Sequence, residues 1–207
     1  MNYNISADVF QEPFPHIIFY NFYDEYELKL IWEELDFFTK DGKLFEAKDF
    51  GGVVEKTNSR AIWLDKIYPK QYRHISNILT VNRKVFDEKI LEAFGNIHDC
   101  CFIAKSCNYD TTKVRYYHDG DYYDPHIDKT VQFLGFSYFY REPKKFNGGE
   151  LIFPKYDYKF NCDNNSLIMM PGWVEHGVSQ VKIQDSDYFD GYGRYAITSF
   201  FGNKETE

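Results

Sequence analysis

The chain alternates between two textures of apolar and polar residues, and the change between them falls near its middle. An early apolar run, "EPFPHIIFYNF", opens with two prolines, and its β-branched and aromatic residues predict a strand. "YDEYELKLIWEELDFFTK", Tyr23 to Lys40, follows. There Leu28, Ile31, Trp32 and Leu35 recur at helical spacing behind acids in the first turn, which predicts an amphipathic helix. A second helical region is predicted from roughly Pro69 to Phe94. Ile75, Ile78, Leu79, Phe86, Ile90 and Leu91 form its stripe, and Gly95 can end it.

After about Asp99 the runs become short and are separated by turn residues. They are "CCFIAKSCNY", "KVRYYH", "TVQFLGFSYFYR", "GELIFP", "SLIMMP", "HGVSQVKI" and "RYAITSFFG". Asp119-Gly120, Asn147-Gly148-Gly149, Asn161 to Asn165 and Pro171-Gly172 punctuate them. Seven or eight short strands at such spacing predict a β-sandwich or barrel. The expected fold class is therefore α+β, mainly β, with N-terminal helices packed on one sheet. The 207 residues suit one well-cored domain, with 1–98 mostly helical support and 99–207 the β core. No repeat, low-complexity tract or linker interrupts them.

Composition narrows the function classes. Apolar residues make up 43% and aromatics 20%, which argues against disorder and suits a sheet-rich core with a ligand cavity. The net charge is −8, and the densest basic stretches are the isolated pairs Lys144-Lys145 and Arg83-Lys84. A nucleic-acid partner is not expected, and a neutral or basic substrate is easier to accommodate. Cys100, Cys101, Cys107 and Cys162 show no CxxC spacing and read as reduced, partly buried thiols of a cytoplasmic protein. "MNYNISADVFQEPFP" lacks the basic and apolar regions of a signal peptide, and no run is long enough for a membrane span.

The candidate chemistry lies in "YYDPHIDKTVQF". On a strand, His126 and Asp128 share a face. Alone this is weak, because a chain with 6 His and 18 Asp meets His-x-Asp by chance about as often as not. His176 follows a Pro-Gly turn and can start a strand beside the one bearing His126. Two imidazoles and one carboxylate on one face leave room for a chelating co-substrate and dioxygen, the arrangement of non-haem Fe(II) oxygenases. His118, in a turn, has no metal role. Arg194 opens an apolar strand and shares a face with Ala196, Thr198 and Phe200. If that face lines a cavity, its charge calls for an anion such as a dicarboxylate co-substrate. An ion pair with Asp187 or Asp190 is the plainer alternative.

Four pieces occur in order. Tyr117-x-x-Gly120-x-x-Tyr123-x-Pro125-His126-x-Asp128 comes first, then Gly148-Gly149-Glu150-x-x-Phe153-Pro154. His176 comes third, and Gly193-Arg194-Tyr195-Ala196-Ile197-Thr198 is last. Together they resemble the Fe(II)/2-oxoglutarate-dependent dioxygenases, most closely the prolyl 4-hydroxylase-like branch, over roughly Val114 to Gly202. The resemblance implies a double-stranded β-helix, or jelly roll. It implies iron ligation by His126, Asp128 and His176, and catalytic anchoring of the distal 2-oxoglutarate carboxylate by Arg194. Thr198 and Tyr117 would contact the same co-substrate, while Tyr138 and Tyr140 both stay open as a further contact. Ascorbate is a further candidate cofactor. The expected reaction is hydroxylation of an unactivated C–H bond by dioxygen, and the carboxylate of Asp128 argues against halogenation. The expected substrate is a prolyl residue in a peptide or protein; a free amino acid or other small molecule is the alternative. A non-catalytic metal-binding jelly roll is a third reading, and no membrane partner is expected. The 185–193 segment could serve as a lid or a peptide groove.

Overall fold

The computed structural model describes residues 5–50, 56–184 and 187–203. In chain order the strands are β1 (Ser6–Phe10), β2 (His16–Tyr20), β3 (Arg60–Trp63), β4 (Tyr109–Tyr117), β5 (Tyr123–His126), β6 (Phe133–Phe139) and β7 (Phe146–Asn147). They continue with β8 (Leu151–Phe153), β9 (Tyr158–Phe160), β10 (Ser166–Pro171), β11 (His176–Val178), β12 (Lys182–Ile183) and β13 (Arg194–Gly202). The α-helices are α1 (Glu25–Lys40), α2 (Ala47–Phe50), α3 (Leu64–Ile67), α4 (Asn77–Val81) and α5 (Glu88–Gly95).

A large antiparallel sheet runs β1-β2-β10-β6-β13-β4-β3, a small one runs β5-β11-β8-β9, and β12 pairs with β7. The two sheets form the expected jelly-roll core, with helices on the outer face of the larger one. Beside its helices the N-terminal half adds β1, β2 and β3 to the large sheet, β2 being the strand expected in "EPFPHIIFYNF". Among the described residues no helix is long and apolar enough to cross a membrane.

The central strands read as unbroken apolar runs because both faces of the large sheet are covered. Alternate residues divide between two cores. Phe19, Phe133, Phe139, Leu167, Met169, Tyr195 and Ile197 face the helices. Ile18, Leu134, Phe136, Tyr138, Ile168, Met170 and Ala196 face the small sheet. Helix α1 starts where predicted: Asp24 and Glu27 form a capping box, and Ile31, Leu35 and Phe38 are buried against the sheet.

Two expectations need correction. The region from Pro69 to Phe94 is not one helix. It runs as a 3-10 segment (Lys70–Ile75), then α4, another 3-10 segment (Asn82–Phe86) and α5. Ser76 and Asp87 cause the restarts, since their side chains accept backbone N–H groups from Leu79 and Lys89 and so act as N-caps. "CCFIAKSC" is not a strand but a 3-10 helix, Asp99–Ser106, and the strand starts only at Tyr109. Cys101 and Ala104 point inward at the period of three that such a helix presents to a core.

Asn165 joins the layers. It sits at φ 56 ahead of β10. Its amide accepts from the Tyr23 N–H at 2.9 Å and donates to the Tyr23 carbonyl at 2.8 Å, just before α1. Asn165→Ala leaves both backbone groups unsatisfied and strains the left-handed turn. The expected loss is about 2–4 kcal/mol in denaturant unfolding. Asn165→Gly relieves the strain and should recover only the smaller part.

Candidate metal and co-substrate site

Strands β5 and β11 pair antiparallel with His126 directly opposite His176. Gly177 makes this closeness possible, because a Cβ there would lie 2.8 Å from the Tyr123 carbonyl oxygen. β5 ends at His126, so Asp128 lies just beyond the strand. Ile127 between them turns outward, 41% exposed. The Asp128 carboxylate oxygen lies 4.0 Å from His126 Nε2 and 3.6 Å from His176 Nε2. One ligand atom from each of the three residues falls within 4.8 Å of the others.

The backbone orients both rings. His126 Nδ1 lies 3.0 Å from the Asp124 carbonyl and His176 Nδ1 lies 2.9 Å from the Val174 carbonyl. Each Nδ1 therefore carries its proton toward a carbonyl two residues back, and each Nε2 presents a lone pair to the shared space. Burial, the largest effect, pushes His176 down to about 4, with the His126 imidazole opposing a second positive charge. His126 is lowered too, chiefly by burial. Neutral imidazoles beside a carboxylate are the donor set a divalent metal needs.

The large sheet forms the opposite wall. β4 and β13 pair with Arg194 across from Tyr117, Ala196 across from Arg115 and Thr198 across from Lys113. All six line one cavity with the three ligand candidates. Arg194 is 2% exposed. Gly149 makes room for it at a left-handed φ of +73, since a Cβ there would lie 2.8 Å from Arg194 Cδ. The guanidinium lies between the rings of Tyr117 and Tyr138, 4.8 Å from each centroid. Nη2 meets Cys162 Sγ at 3.4 Å, while Nε and Nη1 are buried without a hydrogen-bond partner. No ion pair holds Arg194 among the described residues. Asp187 accepts from the Phe189 N–H and Asp190 from the Tyr192 N–H instead.

The Tyr138 hydroxyl is also buried without a partner. Burial raises it well above the usual tyrosine value, so it stays protonated and able to donate. Tyr138 therefore faces the cavity, whereas Tyr140 stacks edge-on against Phe146 outside it. His118 lines a separate groove with Asp121 and Tyr188. In the 185–193 segment, Asp185 and Ser186 lie outside the described residues. Tyr188 to Asp190 form a 3-10 turn, and Tyr188 packs on Tyr116.

Two charged lining residues and one partner of Arg194 escaped the sequence reading. Lys113 and Arg115 continue the period-two face of Tyr117 backward along β4, so extending that alternation would have found them. Cys162 follows a short strand in a loop, at φ 57, and no sequence signal placed it beside Arg194.

With this geometry in view, the comparisons with known proteins are informative about the fold. The chain superposes on a prolyl 4-hydroxylase from Pseudomonas putida with a TM-score of 0.56 at 14% identity, covering 92% of this chain and 93% of that one. It superposes on the viral collagen prolyl hydroxylase of Paramecium Bursaria Chlorella virus-1, in its 2OG complex, with a TM-score of 0.52 at 16% identity, covering 90% and 94%. The chain has the fold of the 2-oxoglutarate/Fe(II) oxygenases. That fold is not confined to hydroxylases: the non-heme alpha ketoglutarate dependent epimerase SnoN from nogalamycin biosynthesis matches with a TM-score of 0.57 at 8% identity, covering 91% and 77%. No family model and no curated protein sequence matches the chain.

The depressed His176 value has a consequence for stability. Between about pH 6.5 and about 4 the unfolded chain binds a proton there that the native protein does not. Stability of the metal-free protein should therefore fall as the pH drops through this window, by on the order of 3 kcal/mol from this residue. Urea titrations at pH 7 and pH 4.5 should show the loss, and His176→Gln should remove most of this part of the slope.

Proposed function

We propose that the protein is an Fe(II)- and 2-oxoglutarate-dependent dioxygenase that hydroxylates an unactivated C–H bond. The observation carrying this reading is the buried Arg194 guanidinium. Its Nε and Nη1 lack partners, and it shares one cavity with the His126, Asp128 and His176 cluster. A structural metal site or passive binding module has no need of a buried carboxylate anchor.

His126 and His176 would hold iron through Nε2, and Asp128 through its carboxylate. When bound, the iron supplies the activation of dioxygen that couples oxidative decarboxylation of 2-oxoglutarate, giving succinate and carbon dioxide, to substrate hydroxylation. Arg194 binds the distal carboxylate through the paired N–H groups of its planar fork, and Tyr138 donates its hydroxyl to the same end. Thr198 lines the same wall two levels along β13, as a donor to the cavity rather than to this carboxylate. Tyr117 packs on the guanidinium face and fixes its plane. Phe136, Leu151 and Val178 close the cavity with apolar surface and exclude water from the reacting atoms.

A prolyl residue in a peptide is the substrate reading carried by the four sequence motifs. The structural likeness to two prolyl hydroxylases supports it.

Purified protein loaded with Fe(II), with ascorbate to keep the metal reduced, should convert 2-oxoglutarate to succinate slowly without added substrate. Asp128→Ala should lose iron and reduce turnover by about 100-fold or more. Arg194→Gln should retain iron but weaken 2-oxoglutarate binding by roughly 30- to 100-fold, the equivalent of 2–3 kcal/mol for charge-assisted hydrogen bonds. Wild-type protein that binds neither iron nor 2-oxoglutarate would refute the reading.

A further inference from the structure

The oxygenase reading leaves two cations on the cavity wall without a task. The paired strands β4 and β13 act as a ruler. Arg194 stands at one level with Tyr117, Arg115 at the next with Ala196, and Lys113 at the third with Thr198. Levels on one face are about 6.8 Å apart, so Lys113 stands some 13 Å along the wall from Arg194. If the co-substrate has one end at Arg194 and the other at the metal ligands, neither end is left for Arg115 or Lys113.

Arg115 sits close to the metal site. Its guanidinium lies 4.5 Å from the Tyr123 ring centroid, and Tyr123 stacks on His126 at 4.0 Å. The charge is 5% exposed, and Nη1 donates to the Ser59 hydroxyl at 3.0 Å. Lys113 lies 3.8 Å from the Trp63 ring centroid. Neither residue forms an ion pair among the described residues. Burial pushes Lys113 down to about 6, with Arg115 adding to the effect, so Arg115 is the permanent charge and Lys113 the conditional one.

The charges in the cavity do not balance. Among the described residues its lining carries the permanent charges of Arg115 and Arg194 and the conditional one of Lys113 against Asp128. A divalent metal and the 2-oxoglutarate dianion cancel one another, and Asp128 offsets Arg194. Among the described residues Arg115 is left as a desolvated charge with no anion, held by rings and the Ser59 hydroxyl, a costly arrangement. Resting on the oxygenase reading, we infer that the substrate supplies this anion: it carries a carboxylate that Arg115 binds, with Lys113 as the second donor. The carboxylate belongs either to a free amino acid or to an acidic side chain beside the target residue. A neutral prolyl segment lacks it. The whole-chain charge of −8 pointed toward a neutral or basic substrate, but the local wall has the opposite sign.

A matched panel tests this. Fe(II)- and 2-oxoglutarate-loaded protein is offered free amino acids, their carboxamides, end-capped proline peptides without acids, and the same peptides with Asp or Glu next to the proline. Mass spectrometry reads the gain of one oxygen. Only carboxylate-bearing members should be hydroxylated, and which arm reacts identifies the source of the carboxylate. Arg115→Gln should raise KM for that substrate by roughly 30-fold with a smaller change in kcat, and Arg115→Lys should recover part of the loss. Hydroxylation of a carboxamide or neutral peptide as efficiently as its acidic counterpart overturns the inference. So does an unchanged KM in Arg115→Gln, or succinate formation with no carboxylate-bearing member accepted. Wild-type protein that makes no succinate and binds no 2-oxoglutarate overturns the oxygenase reading, and this inference with it.

Discussion

A guanidinium buried with no anion beside it among the described residues is the constraint around which the cavity is built. Arg194 is 2% exposed, and burying such a charge is tolerable only if the surroundings support it. Tyr117 and Tyr138 supply ring faces, Cys162 a weak acceptor and Gly149 the space. These supports come from β4, β6, the loop after β9 and the turn before β8. The register of the large sheet and the Gly148-Gly149 turn must therefore both be right before the charge can be housed. What the supports do not supply is a carboxylate, and that omission keeps the pocket ready for one.

The metal side depends on a different device. His126 and His176 come from strands far apart in sequence, and the β5–β11 pairing aligns them. Backbone carbonyls two residues back then set both ring orientations. Orientation is thus fixed by main chain, which is already held in the ladder, and not by side chains that would need their own support.

Much of this was legible because the large sheet obeys period two on both faces. Arg194, Ala196, Thr198 and Phe200 could be placed on one side of β13 from alternation alone, and the strand presents them that way. The convergence of His176 with His126 followed from a Pro-Gly turn and a short returning strand. The illegible parts depended on other things. Ser76 and Asp87 look like ordinary polar residues within an apolar stripe, yet capping lets them break the helix. Cys162 reaches Arg194 from a left-handed loop position that alternation cannot register. Lys113 and Arg115 share the Tyr117 face of "KVRYYH", but alternation alone does not say that the cations on that face meet the cavity.

That last oversight bears on how substrate specificity is encoded. The same architecture serves prolyl hydroxylases and an epimerase, so backbone topology cannot choose the substrate. Bulk charge cannot choose it either, because surface acids are screened by water and salt while a buried guanidinium is not. The discriminating feature is the sign of the few desolvated charges within reach of the metal site. On that criterion, Arg115 behind Tyr123 outweighs the acidic surface. An anion entering this cavity gains a partner it cannot find in water, whereas a cation would meet the two permanent charges of Arg115 and Arg194 against the carboxylate of Asp128.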